Sequence, residues 1–225
     1  DQVAARDPVD GVTGATLTSL AIQESIIRRL GGSRPSLRFP DPLTVEVASR
    51  LFSSSDEVEQ DAVHTSLWHV KGAGDEIGTI LRSSPHADNV VGYQGPTEAL
   101  IGFDMAGRVI GITLGKSYDN EPYVTYVRDE SSFLRHFNEW VIDDLVDLDS
   151  QRGSPSGPSG PKVEGVSGAT MTSMAVVEGM CVAAEQHRRT LAAAAQAQRA
   201  SLQWTKRDFG TALVIVAGLL IGMTS

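Results

Sequence analysis

The chain has one cysteine in 225 residues, Cys181. A disulfide framework, a cysteine zinc site and an iron–sulfur cluster held by this chain are therefore excluded. It has no cluster of Lys and Arg outside its last stretch, and acids outnumber bases 28 to 19 for a net charge of -9. A nucleic-acid binder normally presents a basic face, so no nucleic-acid partner is expected. No nucleophile–base signature stands out. The five histidines, His64, His69, His86, His136 and His187, do not group. His64 and His69, five apart on an expected strand, point to opposite faces, which argues against a shared metal. The acids Asp143, Asp144, Asp147 and Asp149 lack the alternate spacing and bidentate Glu of a calcium loop and read as a solvated helix face. What remains is adequate for a folded core, with 41% hydrophobic and 21% charged residues.

The chain starts at Asp1 and finishes in the uncharged run 209–225, FGTALVIVAGLLIGMTS. As a helix at about 1.5 Å per residue the run spans roughly 25 Å, a little under a bilayer core of ~30 Å. The expectation is the start of a transmembrane helix in a fragment of a longer membrane protein. The alternative is a buried C-terminal helix.

An internal repeat organises the rest. Val9–Leu30 reads VDGVTGATLTSLAIQESIIRRL and Val163–Ala184 reads VEGVSGATMTSMAVVEGMCVAA, at a gapless offset of 154 residues. That spacing is too long for a solenoid repeat and implies two domains of one kind. Each copy leads into a helix. In the second, Met174, Val177, Cys181 and Ala184 recur at three- and four-residue spacing. Residues 1–30 are expected to be the C-terminal remnant of a first domain. Residues 31–42, rich in proline, form a linker, 43–190 a complete second domain, and 191–208 a helical connector to the membrane run. Within the second domain a short helix is expected near Leu43–Phe52. Hairpins are expected around Lys71-Gly72-Ala73-Gly74 and Met105-Ala106-Gly107. EPYVTYV reads as a further strand, and 131–148 as one helix with Phe133, Phe137, Val141 and Leu145 in register. Residues 150–161 are a Gly/Ser/Pro loop. The fold class is α+β, an antiparallel sheet with flanking helices, followed by a C-terminal transmembrane helix.

The motif Glu164-Gly165-Val166-Ser167-Gly168-Ala169-Thr170 places small residues just before a helix. Glycines admit positive φ and close approach. Free backbone N–H groups at a helix start, with the helix dipole, attract anions. These residues thus point to a phosphate near Thr170 and, by the repeat, near Thr16. Ordinary N-capping by Ser167 and Thr13 is the competing explanation. A cap needs one hydroxyl residue, whereas here the surrounding small residues and the pair Thr18/Thr172 repeat as well.

These residues resemble a known family. DGVTGAT and EGVSGAT are similar to the attachment motif of covalent FMN-binding domains, D-x-x-[ST]-G-A-[ST]. Such domains occur in the sodium-pumping NADH:quinone reductase, in the Rnf electron-transport complex and in NosR-type membrane proteins. The resemblance covers about residues 60–190 as a whole domain and 1–30 as a remnant. VVGYQGPTEALIGFDMAGRVIGITLGKSYDNEP resembles the family's antiparallel sheet, and Glu121-Pro122 is similar to the NosR-type subgroup.

The resemblance implies FMN joined through its phosphate, by a flavin transferase, to Thr170 and by the repeat to Thr16. Ser167, Gly168, Ala169, Glu164 and Thr172 then border the cofactor in the second copy, and Thr13, Gly14, Ala15 and Asp10 in the first. The family acid is Asp, present as Asp10. Glu164 is one methylene longer. The implied function is electron transfer in a membrane-anchored redox protein of NosR type, with iron–sulfur or other redox partners outside this fragment. No catalytic residue is assigned, because an electron carrier needs no acid–base catalyst of its own. A membrane-tethered sensory module holding a small anion non-covalently is the rival, and a flavin-free structural relic a third reading. Lys206 and Arg207, before the apolar run, favour a cytoplasmic N-terminal side. The resemblance favours the periplasmic side, which is the expectation kept. Tyr93, Tyr118 and Tyr123 are either flavin-stacking or packing residues, with Gly95-Pro96-Thr97 and Asn120-Glu121-Pro122 as bordering loops. Cys181 reads as a buried small hydrophobe.

Overall fold

The computed structural model describes residues 22, 36, 38–152 and 163–222, without the side chains of 149–152 and 197–222. Its centre is a five-stranded antiparallel meander, β1 (Glu57–Gln60), β2 (Leu67–Gly72), β3 (Asp75–Arg82), β4 (Thr97–Phe103) and β5 (Val109–Ser117), paired in chain order. The expected hairpins are both present. The β2–β3 turn places Ala73 and Gly74 at φ 54° and 87°, the doubly positive turn that matches strand twist. The β4–β5 turn is closed by Asp104, whose carboxylate accepts from the Ala106 and Arg108 amides.

The sheet is covered on both faces. One face carries Trp68, Val70, Ile80 and Leu100 against Leu43, Ala48 and Phe52; the short helix α1 (Val45–Ala48) supplies this cover. The other carries Leu81, Ala99, Ile101, Phe103, Ile112 and Leu114 against the helices that follow. Alternation on β2 gives the first face, while β3 and β4 are buried on both faces towards their ends. The edge strand β1 is short and carries Glu57 and Glu59, whose carboxylates accept from Lys71. A charged short edge resists pairing with another chain.

Four helices complete the domain: α2 (Glu121–Asp129), α3 (Ser131–Arg135), α4 (Ile142–Arg152) and α5 (Thr170–Gly222). Two expectations are corrected here. EPYVTYV is helix α2 and not a strand. Asn120 precedes it in an extended conformation, and Pro122 sits in its first turn, where a missing N–H costs nothing. The stretch 131–148 is not one helix. The chain breaks at Glu139, φ 68°, and Val141 forms a bridge to Arg108. Phe133, Phe137 and Leu145 are nevertheless buried together, as their spacing predicted. Val141 alone of the four is exposed. On α5, Val177, Cys181 and Ala184 are fully buried. Asp143, Asp144 and Asp147 are exposed on α4.

Part of the segment read as linker packs on the domain. Phe39 is buried, its ring 5.4 Å from that of Tyr118. Arg82 ties the same strap down. It pairs with buried Glu98 at 2.7 Å and donates to the Asp41 carbonyl at 2.9 Å. Burial pushes the Glu98 carboxyl up, against the pull of Arg82.

His64 lies in the turn before β2 and not on a strand; its carbonyl accepts from Leu67 N. Its ring meets His187 of α5 at 5.8 Å, whereas His69 on β2 binds Glu76 and Asp61. Among the described residues no three His, Cys, Asp or Glu side chains are grouped to hold a metal. Among them, too, no helix is long and apolar enough to cross a membrane. The side chains of the run 209–225, like residues 1–21, lie outside the described set.

Phe137 is fully buried between Phe133 and Trp140, ring centroids 6.0 and 5.2 Å away. Phe137→Ala should cost about 3–5 kcal/mol, read as a lower denaturation midpoint in urea with the slope unchanged.

Candidate functional site

The repeated motif ends on the first turn of α5. Residues Val166–Ala169 form a tight turn closed by Ala169 N donating to the Val166 carbonyl at 2.9 Å. Gly168 holds φ 79°, a conformation costly for a residue with a Cβ. The Ala169 carbonyl then accepts the first helical bond, from Ser173 N, at 2.9 Å. Ala169 therefore occupies the cap position, and it has no hydroxyl. Ser167 is exposed two residues upstream and is not the N-cap that simple capping required. Ser173 fastens the turn in its place. Its hydroxyl accepts from Val166 N at 2.9 Å and donates to the Thr170 carbonyl at 3.1 Å. Gly165 is held close, since a Cβ there would meet Thr170 Cγ2 at 2.8 Å.

The two threonines of the motif face opposite ways. Thr170 is exposed, and its hydroxyl donates to the Val166 carbonyl at 3.3 Å. Thr172, about 200° further round the helix, is buried, and its hydroxyl donates to Asp119 Oδ2 at 2.7 Å.

Asp119 joins three parts of the chain. Its carboxylate accepts from Thr172 on α5, from the Tyr93 and Gln94 amides at 2.9 and 2.7 Å, and from the Asn120 amide at 2.9 Å. Burial works to raise this carboxyl, but the Thr172 hydroxyl and the three amides outweigh it and hold it below its ordinary value. Gly92 fits beside it without room to spare. A Cβ there would stand 2.2 Å from Asp119 Oδ2 and 3.1 Å from Thr172 Cα. The loop 92–96 also pairs with the end of β5, where Tyr118 N donates to the Pro96 carbonyl at 2.9 Å.

The loops around Gly95-Pro96-Thr97 and Asn120-Glu121-Pro122 are thus brought beside the motif. Of the tyrosines, Tyr93 and Tyr118 are exposed and not core. Tyr123 lies on α2, not in the sheet, with its ring 5.0 Å from Tyr93. Tyr118 packs on Phe39 and donates to the Arg38 carbonyl, part of the strap. Of the motif residues in the second copy, Glu164, Ser167, Gly168 and Thr170 are exposed, Ala169 and Thr172 buried. Asp10, Thr13, Gly14, Ala15 and Thr16 lie outside the described residues.

Three residues went unnoticed in the sequence: Asp119, Gly92 and Tyr126. Tyr126 stands next to Gly168, 3.8 Å from the position of a Cβ there. A signal existed for it. Had Asn120-Glu121-Pro122 been read as a helix start, Tyr123 and Tyr126 would have fallen three apart on one face.

The chemistry available is that of an exposed hydroxyl at a helix start. The first turn of a helix leaves amides without intrahelical acceptors, and their partial positive charge favours an anion. The donor set fits a phosphate ester: a hydroxyl open to solvent, a turn of small residues, and exposed aromatic surface alongside.

Residues 92–185 match the family model described as the FMN-binding domain. The match runs from Gly92 through β4, β5, α2, α3 and α4 into α5, and so contains Asp119, Thr170 and Thr172. It supports an FMN-binding domain in this part of the chain, and flavin binding with it. No curated protein matches the chain.

Asp119→Asn removes the charge that four donors address and should destabilise the domain by about 2 kcal/mol. The sign with pH follows from the lowered carboxyl. The Asp119 contribution is present above its ordinary value of 3.8 and fades as pH falls below that through its folded value. The gap in denaturation midpoint between wild type and Asp119→Asn should be constant near neutrality and narrow below about pH 4.

Proposed function

We propose that this chain carries FMN joined through its phosphate to the hydroxyl of Thr170, and that it serves electron transfer in a membrane-anchored redox protein of NosR type. One observation carries this reading: within the segment matching the FMN-binding family model, Thr170 presents an exposed hydroxyl on the first turn of α5. The rest of the motif supports it. Gly168, at φ 79°, sets the turn that leads into the helix carrying that oxygen. The weak bond to the Val166 carbonyl orients the hydroxyl without occupying its lone pairs. Ser173 and Thr172 lock the backbone on either side of it. Bound FMN supplies the electron-carrying chemistry, and the protein supplies orientation and electrostatics.

A phosphate joining FMN to the Thr170 hydroxyl is a diester with one negative charge, and a helix start, the positive end of the dipole, suits it. Glu164 is the nearest acid in the motif, exposed at the head of the turn. We assign it, with Asp10 in the first copy, to recognition by a flavin transferase. Thr16 is a second attachment site by the repeat. The apolar run 209–225 anchors the protein in a membrane, with the flavin domain on the periplasmic side. Iron–sulfur or other redox partners belong to other parts of the system.

The test is direct. The full chain is produced with a flavin transferase, denatured, and run on a gel read by flavin fluorescence. A fluorescent band is expected, dimmed in Thr170→Ala, dimmed in Thr16→Ala, and absent in the double variant. Intact mass counts the flavins. A dark wild-type band beside a verified transferase would end the proposal and favour a module that binds a small anion without a covalent bond.

A further inference from the structure

Away from the motif, two histidine rings meet where α5 leaves the body. His64, in the turn before β2, and His187, on α5, stand with ring centroids 5.8 Å apart at an interplanar angle of 82°. Both Nδ1 atoms are buried, and among the described residues neither has a hydrogen-bond partner. A buried polar atom left unpaired is costly, so two at one contact call for a reason beyond packing. Ala184 is the last buried residue of α5 among those whose side chains are described. His187 follows it by three positions, so the ring pair grips the helix at the edge of the domain.

The contact suits neutral rings. A protonated imidazole has two N–H donors and no acceptor, and it would repel a second charge on the ring beside it. Among the described residues the charges that act on His187 are those of His64 and Asp61, both between β1 and β2. The elements β3, β4, α2 and α4 also pack on α5 and add none. Asp61 is already engaged. Its Oδ1 accepts from the Val63 and His64 amides, and its Oδ2 binds His69 Nε2 at 3.1 Å. On α5 itself, Glu185 is paired with Arg188 and Arg189 at 2.7 Å each. Burial, and after it the neighbouring His64, hold His187 below its ordinary 6.5, against a weaker pull from Asp61.

We propose that His64 and His187 form a proton-operated clasp between the turn before β2 and α5, closed while both rings are neutral and opened when His187 takes up a proton. The clasp does not depend on what Thr170 carries. Its sign follows from the lowered group. It is whole above pH 6.5 and is lost as pH falls from there through the folded value. His69 acts in the opposite sense. Its bonds to Glu76 and Asp61 raise it above 6.5, so its hold is full below 6.5 and fades as pH rises through the folded value. Acidification therefore leaves Asp61 and its turn fastened to the sheet by His69, while freeing the turn from α5. The proton releases the helix and not the sheet.

The experiment is amide hydrogen exchange by mass spectrometry on the full chain, as wild type and His187→Leu, from about pH 7.5 to about pH 5.5. Protection in each segment is corrected for the intrinsic exchange rate at each pH. Leucine fills the place of the ring and cannot titrate, and His69 is common to both chains. The ratio of wild-type to variant protection therefore isolates the His187 proton. For residues 185–190 that ratio should fall about tenfold over this range, as one proton allows, while for β4 it should stay level. A level ratio at 185–190 would overturn the clasp. The imidazole resonances of the wild type decide the matter if far-ultraviolet dichroism shows that His187→Leu does not fold. His187 should titrate below 6.5, in step with the loss of protection at 185–190. Titration at or above that value, or protection that does not follow it, would equally overturn the clasp.

Discussion

The site depends on one carboxylate. Asp119 lies at the end of β5 and gathers donors from a loop 25 positions earlier and a helix 53 positions later. Its carboxylate ties the Gly92–Pro96 loop to the start of α5. A buried acid is costly unless every oxygen is satisfied, and this one is satisfied by a hydroxyl and three amides. The same bonds that relieve the acid define the geometry of the turn that carries Thr170. The close fit of Gly92 follows from this, because any side chain there would enter the space that the carboxylate fills.

In the second copy of the motif the two threonine hydroxyls are placed differently. Thr172 faces inward and donates its hydrogen to Asp119, while Thr170 is exposed and donates only to the Val166 carbonyl. Two residues along a helix is a little more than half a turn, so the spacing itself separates them. A motif that needed only a helix cap would constrain neither. The cap position belongs to Ala169, and the fastening that a cap usually provides comes from Ser173 inside the helix. Small residues at 165, 168 and 169 are what let the chain turn this tightly against its own first helical turn.

The sheet was legible in the sequence because its signals are local. Alternating burial and a turn glycine specify a hairpin wherever it occurs. Helix α2 was hidden for the opposite reason. Tyr-Val-Thr-Tyr-Val is a run of strand-favouring types, and only Asn120 and Pro122 at its head mark a helix start. Packing of Val124 and Val127 against the core decided in favour of the helix. The break at Glu139 has a similar origin: pairing of Val141 with Arg108 extends the β5 side of the sheet and interrupts a periodicity that reads as continuous. The position of Thr170 at a helix start was legible because the motif repeats. Asp119 was not, because nothing in a single sequence says which of 28 acids will be brought to a threonine 53 residues away.

Placement of the candidate site on α5 has a mechanical consequence. The helix begins at Thr170 and runs to Gly222, and its first turns are clamped to the sheet and to α4 by Val176, Val177, Met180 and Cys181. The start of the helix is therefore fixed relative to the core. Further along, Leu191 and the alanines that follow it are exposed, so the helix leaves the body as a single rod. With the run 209–225 as the proposed membrane segment, one unbroken element would join the candidate site to the bilayer. On that proposal the helix would set the orientation of the domain on the membrane, and its length the distance. A loop in that position would leave both to diffusion, whereas electron transfer to a fixed partner favours a carrier held at one height and one angle.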